Sequence, residues 1–236
     1  MSDNEIIILK EEFDGGLKYA LYSNFSKYTE AILELVDNSV SNRIEGRLLT
    51  ISILVNSKSF TIIDMGGKGM SLKDLNTFLK WGKIKPRESK DIGAYSQGGK
   101  SAMGYLGEEM ILTTSSLGER TQYKIEDNNL HEYKLKYYKV IQTPADIDRG
   151  YTQVEIKKLK RNIKEDVLKT LLADTYRPLI ENNEVVIKYN GDIIKPIPFP
   201  LDNEFKKENF LVDDNIRGWV GRLAAKSGIK GGDEML

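Results

Sequence analysis

The sequence predicts an α+β domain: a two-layer sandwich with helices on one face of a mixed, mostly antiparallel sheet. Three observations predict it. Amphipathic segments of helical period recur along the chain, short β-rich runs bounded by turn residues fill its second half, and 40% hydrophobic with 30% charged residues is the balance of a globular core. With 236 residues the chain fits one large domain and the beginning of another, because single cores stop growing at about 250 to 300 residues. The expected division is 1–205 for the domain and 206–236 for a linker and the start of a second one. The chain reads as a piece of a longer protein, since the WVGRL strand begins new structure just before the last residues.

The first helix is expected over Ser26 to Arg43, where Ile32, Leu35, Val36 and Val40 recur at helical spacing and leave one face to be buried. Gly46 closes it. Leu48 to Val55 and Ser59 to Asp64 are β-rich and separated by a short polar turn, which predicts a hairpin. Leu72 to Trp81 returns to helical spacing with Ser71 as its N-cap. The stretch KIKPRESKDIGAYSQGG has no hydrophobic period and reads as a long connection before a helix beginning at Ser101. Strands follow at Glu109 to Ser115, Arg120 to Glu126, Tyr133 to Gln142 and Thr152 to Lys158. Ile163 to Leu179 is a third amphipathic helix, and EVVIKYNGDIIKPIPFP gives a strand, an Asn-Gly turn and a second strand.

Composition removes several kinds of chemistry. The chain has no cysteine, so disulfides and thiolate metal sites are excluded, and a single histidine, His131, leaves little room for a Ser-His-Asp triad. His131 lies in the polar stretch EDNNLHEYK and is expected on an exposed loop or strand edge. Lys plus Arg and Asp plus Glu are both 35, so no global charge announces nucleic acid, and the basic clusters at Lys83 to Arg87 and Lys157 to Lys164 read as solvated faces. No apolar run approaches the roughly 20 residues of a membrane span. The amino terminus also lacks the pattern of a secretory signal, and the expectation is a soluble, cytoplasmic protein.

Three constellations carry chemistry. In ELVDNSVSN, Glu34 and Asn38 are four residues apart and project from one side of the helix, a pairing that suits a magnesium ion and a water needing a base. Taken alone it reads first as a solvated helix surface. In IIDMGGKGM, Asp64 ends an apolar strand ahead of glycines that let a ligand approach the backbone, and a buried carboxylate there can accept a hydrogen bond from an exocyclic amine such as that of adenine. Its plainer reading is a glycine-rich turn with a capping Asp. In IGAYSQGGKSAMG, Gly93, Gly98 and Gly99 precede a helix start, where backbone N–H groups can hold phosphate. That string nearly matches a P-loop, but Ala94 stands where the first glycine belongs and KIKPRESKD replaces the buried strand a P-loop follows.

Together these motifs resemble the GHKL, or Bergerat-fold, ATPases, a family that includes gyrase B, MutL mismatch-repair proteins, a heat-shock chaperone, the histidine kinases and the MORC proteins. ELVDNS resembles the N-box, IIDMGGKGM the adenine-binding glycine motif, IGAYSQGGKSA the ATP lid and RGYTQVEI the late Gly-x-Thr strand, in the family's order. The resemblance implies a Bergerat fold that binds and hydrolyses ATP with Mg²⁺. Glu34 would activate water, Asn38 hold the metal, and Asp64 bind the adenine amine with Thr152 assisting. It further implies that Gly66, Gly69 and Met70 line the purine pocket and that Gly93, Ser96, Gly98 and Gly99 form the lid, with Lys100 either reaching a phosphate or facing solvent. In such relatives ATP orders the lid and drives dimerisation, and a second, transducer-like domain completes the site, so the partners implied are ATP and ADP, a second copy and a DNA or protein client.

The departures are an extra residue in the glycine motif, Ser96 for a lid glycine, and Ser41 where many relatives are acidic. The closest style is that of MORC-like, chaperone-like or MutL-like members. No phosphoacceptor-histidine helix precedes the N-box, which disfavours a histidine kinase. A non-catalytic module switched by nucleotide is the alternative to an ATPase.

Overall fold

The helix expected around the N-box forms as α1, Tyr28–Ser41, and buries Ala31, Ile32, Leu35, Val36 and Val40 on one face. Glu30 at its third position accepts from the backbone N–H of Ser26 and Lys27, which satisfies donors the first turn leaves open. In the computed structural model the described residues are 6–10, 21–81, 98–132, 136–196, 198, 201–202, 204, 208–213 and 216–222. The chain separates into two compact units, Met1–Pro196 and Ile197–Leu236.

In the first unit nine strands form one sheet: β1 (Ile6–Lys10), β2 (Leu49–Val55), β3 (Ser59–Met65), β4 (Glu109–Ser115), β5 (Thr121–Asp127), β6 (Tyr137–Pro144), β7 (Tyr151–Lys157), β8 (Val185–Tyr189) and β9 (Asp192–Ile193). Their spatial order is β1-β6-β5-β4-β7-β3-β2-β8-β9, and the sheet is antiparallel except where β2 runs parallel to β8. Alternation along each strand gives the sheet one apolar face. Its central row is Ile53, Ile62, Val154, Leu112 and Ile125, linked strand to strand by the register and all buried. Above that face lie α1, α2 (Leu72–Leu79), α3 (Gly98–Leu106), α4 (Glu165–Thr175) and α5 (Arg177–Glu181), and their apolar sides join the same core. The result is the expected two-layer α+β sandwich.

Several boundaries differ for physical reasons. The single helix expected from Ile163 to Leu179 breaks at Tyr176, because Pro178 has no N–H to donate to the carbonyl four residues back. Helix α3 begins at Gly98, ahead of the expected Ser101. The strand expected from Tyr133 begins at Tyr137; residues 133–135 lie outside those described. Strand β1 was not expected, and pairing with β6 makes it. Ser71 caps α2 as the sequence predicts, its Oγ accepting from Asp74 N at 3.2 Å. His131 is half-buried instead of exposed: its ring meets Tyr22 edge-on at 5.1 Å and its Nε2 lies 3.2 Å from Gly107 O.

In the second unit, β10 (Glu208–Asp213) and β11 (Ile216–Val220) form an antiparallel hairpin with a bulge between Leu211 and Asp213. Of the expected WVGRL strand, Trp219 and Val220 end β11, Gly221 and Arg222 follow it, and Leu223 lies outside the described residues.

Candidate nucleotide site

Next to the central apolar row, the sheet register sets a row of different character. Ile51, Asp64, Thr152, Thr114 and Tyr123 stand side by side across β2, β3, β7, β4 and β5. Here the inner face turns polar. Asp64 is only 2% exposed, and its Oδ1 accepts from Thr152 N at 2.9 Å. The nearby Ser39 hydroxyl of α1 also favours its charged form. Burial outweighs both and raises the Asp64 carboxyl from 3.8 to about 7. A carboxyl so poised exchanges readily between donor and acceptor, which suits recognition of an amine-bearing base.

The glycine loop after β3 is fastened around this row. Thr114 Oγ1 accepts from Met70 N at 2.9 Å, donates to Tyr151 O at 2.9 Å and lies 3.2 Å from Thr152 Oγ1. Gly69 has φ +64°, and a Cβ there would run into the Ser115 carbonyl. Gly69 and Met70 line the cavity above Asp64, whereas Gly66 packs against the Leu48 carbonyl outside the cavity wall.

The other end of the cavity is built by α1 against α3. A Cβ on Gly98 would overlap the Glu34 carboxylate, and one on Gly99 would come within 3.0 Å of Asn38 Nδ2. These glycines let the first described turn of α3 lie directly on the two N-box side chains, at the wall of the cavity. Asn38 Nδ2 donates to Glu34 O at 2.7 Å, so its Oδ1 is the atom turned to a ligand. The Glu34 carboxyl is raised above its ordinary 4.5, first by burial and then by the charge of Asp37, against which the Asn38 amide acts. Asp37 in turn accepts from the Tyr176 hydroxyl at 2.7 Å.

Between these ends lies a cavity of about 770 Å³, walled by Glu34, Asn38, Asp64, Gly69, Met70, Gly98, Gly99 and Thr152 among others. Its volume suits a ligand of nucleotide size. Of the residues implicated by sequence, these eight come together; Gly93 and Ser96 lie outside the described residues. Lys100 does not face solvent: it is 6% exposed, and its Nζ donates to Lys80 O at 2.8 Å.

A sequence model of the family described as histidine kinase-, DNA gyrase B- and HSP90-like ATPase matches residues 25–163, more than half of the chain. The chain belongs to this GHKL ATPase family. ATP is accordingly the nucleotide expected in the cavity, and the sandwich is the family's Bergerat fold. No curated protein matches the sequence. Among the described residues no helix is long and apolar enough to cross a membrane.

Sequence reading missed Ser39, Thr114 and Ser101, which also stand at this cavity: Thr114 through the bonds above, and Ser39 and Ser101 as buried cavity wall. A signal existed for Thr114, a polar residue at an inward position of the β4 alternation after Met110 and Leu112.

Proposed function

We propose that this GHKL domain binds ATP together with Mg²⁺ and hydrolyses it, with Glu34 as the general base. The observation that carries the proposal is the meeting of Glu34 and Asn38 with Gly98 and Gly99 at one end of a cavity whose other end is Asp64. Asp64, steadied by Ser39 and Thr152, selects the base, and the N-terminus of α3 faces the phosphates. The Glu34 carboxylate takes the proton of a water aligned on the terminal phosphate. Magnesium fits the donor set. No group of three or more acidic, His or Cys side chains that could cage a metal occurs among the described residues, and Asn38 Oδ1 supplies one oxygen. That is the demand of an ion held mainly by phosphate oxygens and water. When bound, it neutralises charge on the phosphates.

Family resemblance extends the proposal to ATP-dependent dimerisation acting on a DNA or protein client. It also extends to residues 206–236 as the start of a transducer-like domain.

Thermal unfolding with Mg²⁺ and a non-hydrolysable ATP analogue tests binding. At 100 times its dissociation constant a ligand stabilises by about 2.7 kcal/mol, roughly 5 to 10 °C for a domain of this size. The shift is expected to vanish in Asn38→Ala. Glu34→Ala should keep it while hydrolysis falls by about 10² to 10⁴. A shift with intact hydrolysis in Glu34→Ala would remove Glu34 as the base. No hydrolysis in the wild-type chain or in a longer one would leave a nucleotide switch.

A further inference from the structure

Lys100 is a buried cation that the proposed chemistry does not use. Its neighbours Gly98, Gly99 and Ser101 contribute to the cavity wall and Lys100 does not. Its Nζ donates to the Lys80 carbonyl at 2.8 Å and lies 4.1 Å from the centroid of the Trp81 ring and 5.8 Å from that of Phe78. Lys80 is the C-cap of α2, whose last turn carries no basic residue, so Lys100 brings positive charge to the negative end of that helix. A charge as buried as this is retained where a carbonyl and an aromatic face replace its water.

We propose that Lys100 is a positioning residue, a clamp between the first turn of α3 and the end of α2 that holds Gly98 and Gly99 against Glu34 and Asn38 without touching the nucleotide. The inference rests on the proposed function of that cavity. Two features set it apart from phosphate binding by this lysine. Its Nζ is engaged by the Lys80 carbonyl and the Trp81 ring, and Phe78 belongs both to the cavity wall and to the aromatic pair near the cation. Loosening the clamp therefore disturbs the placement of the water and its base more than the grip on the phosphates.

The test compares the wild-type chain with Lys100→Met, which keeps most of the stem and removes the donor and the charge. Three quantities are measured: the affinities for a non-hydrolysable ATP analogue and for ADP, the single-turnover hydrolysis rate, and the Trp81 emission without nucleotide in a Trp219→Phe background. A clamp predicts an analogue-to-ADP affinity ratio within about twofold of wild type. It also predicts hydrolysis slowed by about 10- to 100-fold and a shifted Trp81 emission. Analogue affinity reduced more than about tenfold with ADP affinity unchanged would make Lys100 a phosphate ligand and overturn the proposal. So would unchanged emission with unchanged hydrolysis. Should Lys100→Met not fold, Trp81→Phe replaces it, because weakening the aromatic partner slows hydrolysis only if Lys100 acts through it. Failure of the proposed function is seen separately, as absence of nucleotide binding by wild type, while the emission change still reads the clamp.

Discussion

Asp64 is held in a state that disfavours the unliganded domain at neutral pH and above. Its carboxyl is raised from 3.8 to about 7, so between those values the folded chain keeps a proton that the unfolded chain has released. Stability therefore falls as pH rises through this window, by a total on the order of 4 kcal/mol, and the loss is complete above about pH 7. Asp64→Asn is expected to flatten this dependence and to raise the unliganded midpoint at pH 8 by roughly 3 to 10 °C while weakening nucleotide binding. Thermal melts of both chains from pH 4 to pH 8 check it, and parallel curves would refute it. Glu34 gives a second pH signature. It must lose its proton to act as base, and Asp37 makes that loss harder, so Asp37→Asn should move the acidic limb of the hydrolysis profile to lower pH. At this scale sequence and structure part at Lys100. A Gly-Lys-Ser string tells which residue is charged but not whether it is buried, and Trp81 with the end of α2 decides that.

Among elements, the two glycine motifs fail in different ways when a methyl group is added. At Gly69 the positive φ and the Ser115 carbonyl are both fixed backbone. Gly69→Ala should cost roughly 2 to 4 kcal/mol and lower the midpoint with or without nucleotide. At Gly98 the obstacle is the end of the flexible Glu34 side chain. Gly98→Ala should leave stability within about 1 kcal/mol of wild type yet slow hydrolysis by about 100-fold or more, as the carboxylate is pushed from its place. Melting and turnover measured on the same two variants separate strain from chemistry. The motifs were legible because each is local: α1 carries Glu34, Asn38 and Ser39, and one strand end carries Asp64 and its glycines. What joins them is not local. Thr114 enters only because the register of β4 on β7 puts it beside Thr152, and β1 becomes a strand only because β6 offers it an edge. A five-residue apolar run with no turn partner in sequence carries no such information.

For the whole molecule, the helix–strand alternation and the run of late strands were enough to give the α+β sandwich, while the strand order, set by long-range pairing, was not. Among the described residues, every one that lines the cavity falls between Leu21 and Val154, within the first compact unit. A chain ending at Pro196 is therefore expected to bind the ATP analogue within about threefold of the full chain, as calorimetric titration would show. A larger loss would mean that residues 197–236 contribute to the site. The pairing of β3 with β7 has a consequence of another kind. Thr152 follows Asp64 by 88 residues, and at about 5 to 20 residues per second of synthesis roughly 4 to 18 seconds pass before it leaves the ribosome. Through that interval β3 is a nascent apolar strand with one edge bare and a carboxyl not yet covered, the kind of segment that sticks to its neighbours. The charge of Asp64, ordinary until the sheet closes over it, keeps that bare edge in water while the ribosome finishes the strand that will bury it.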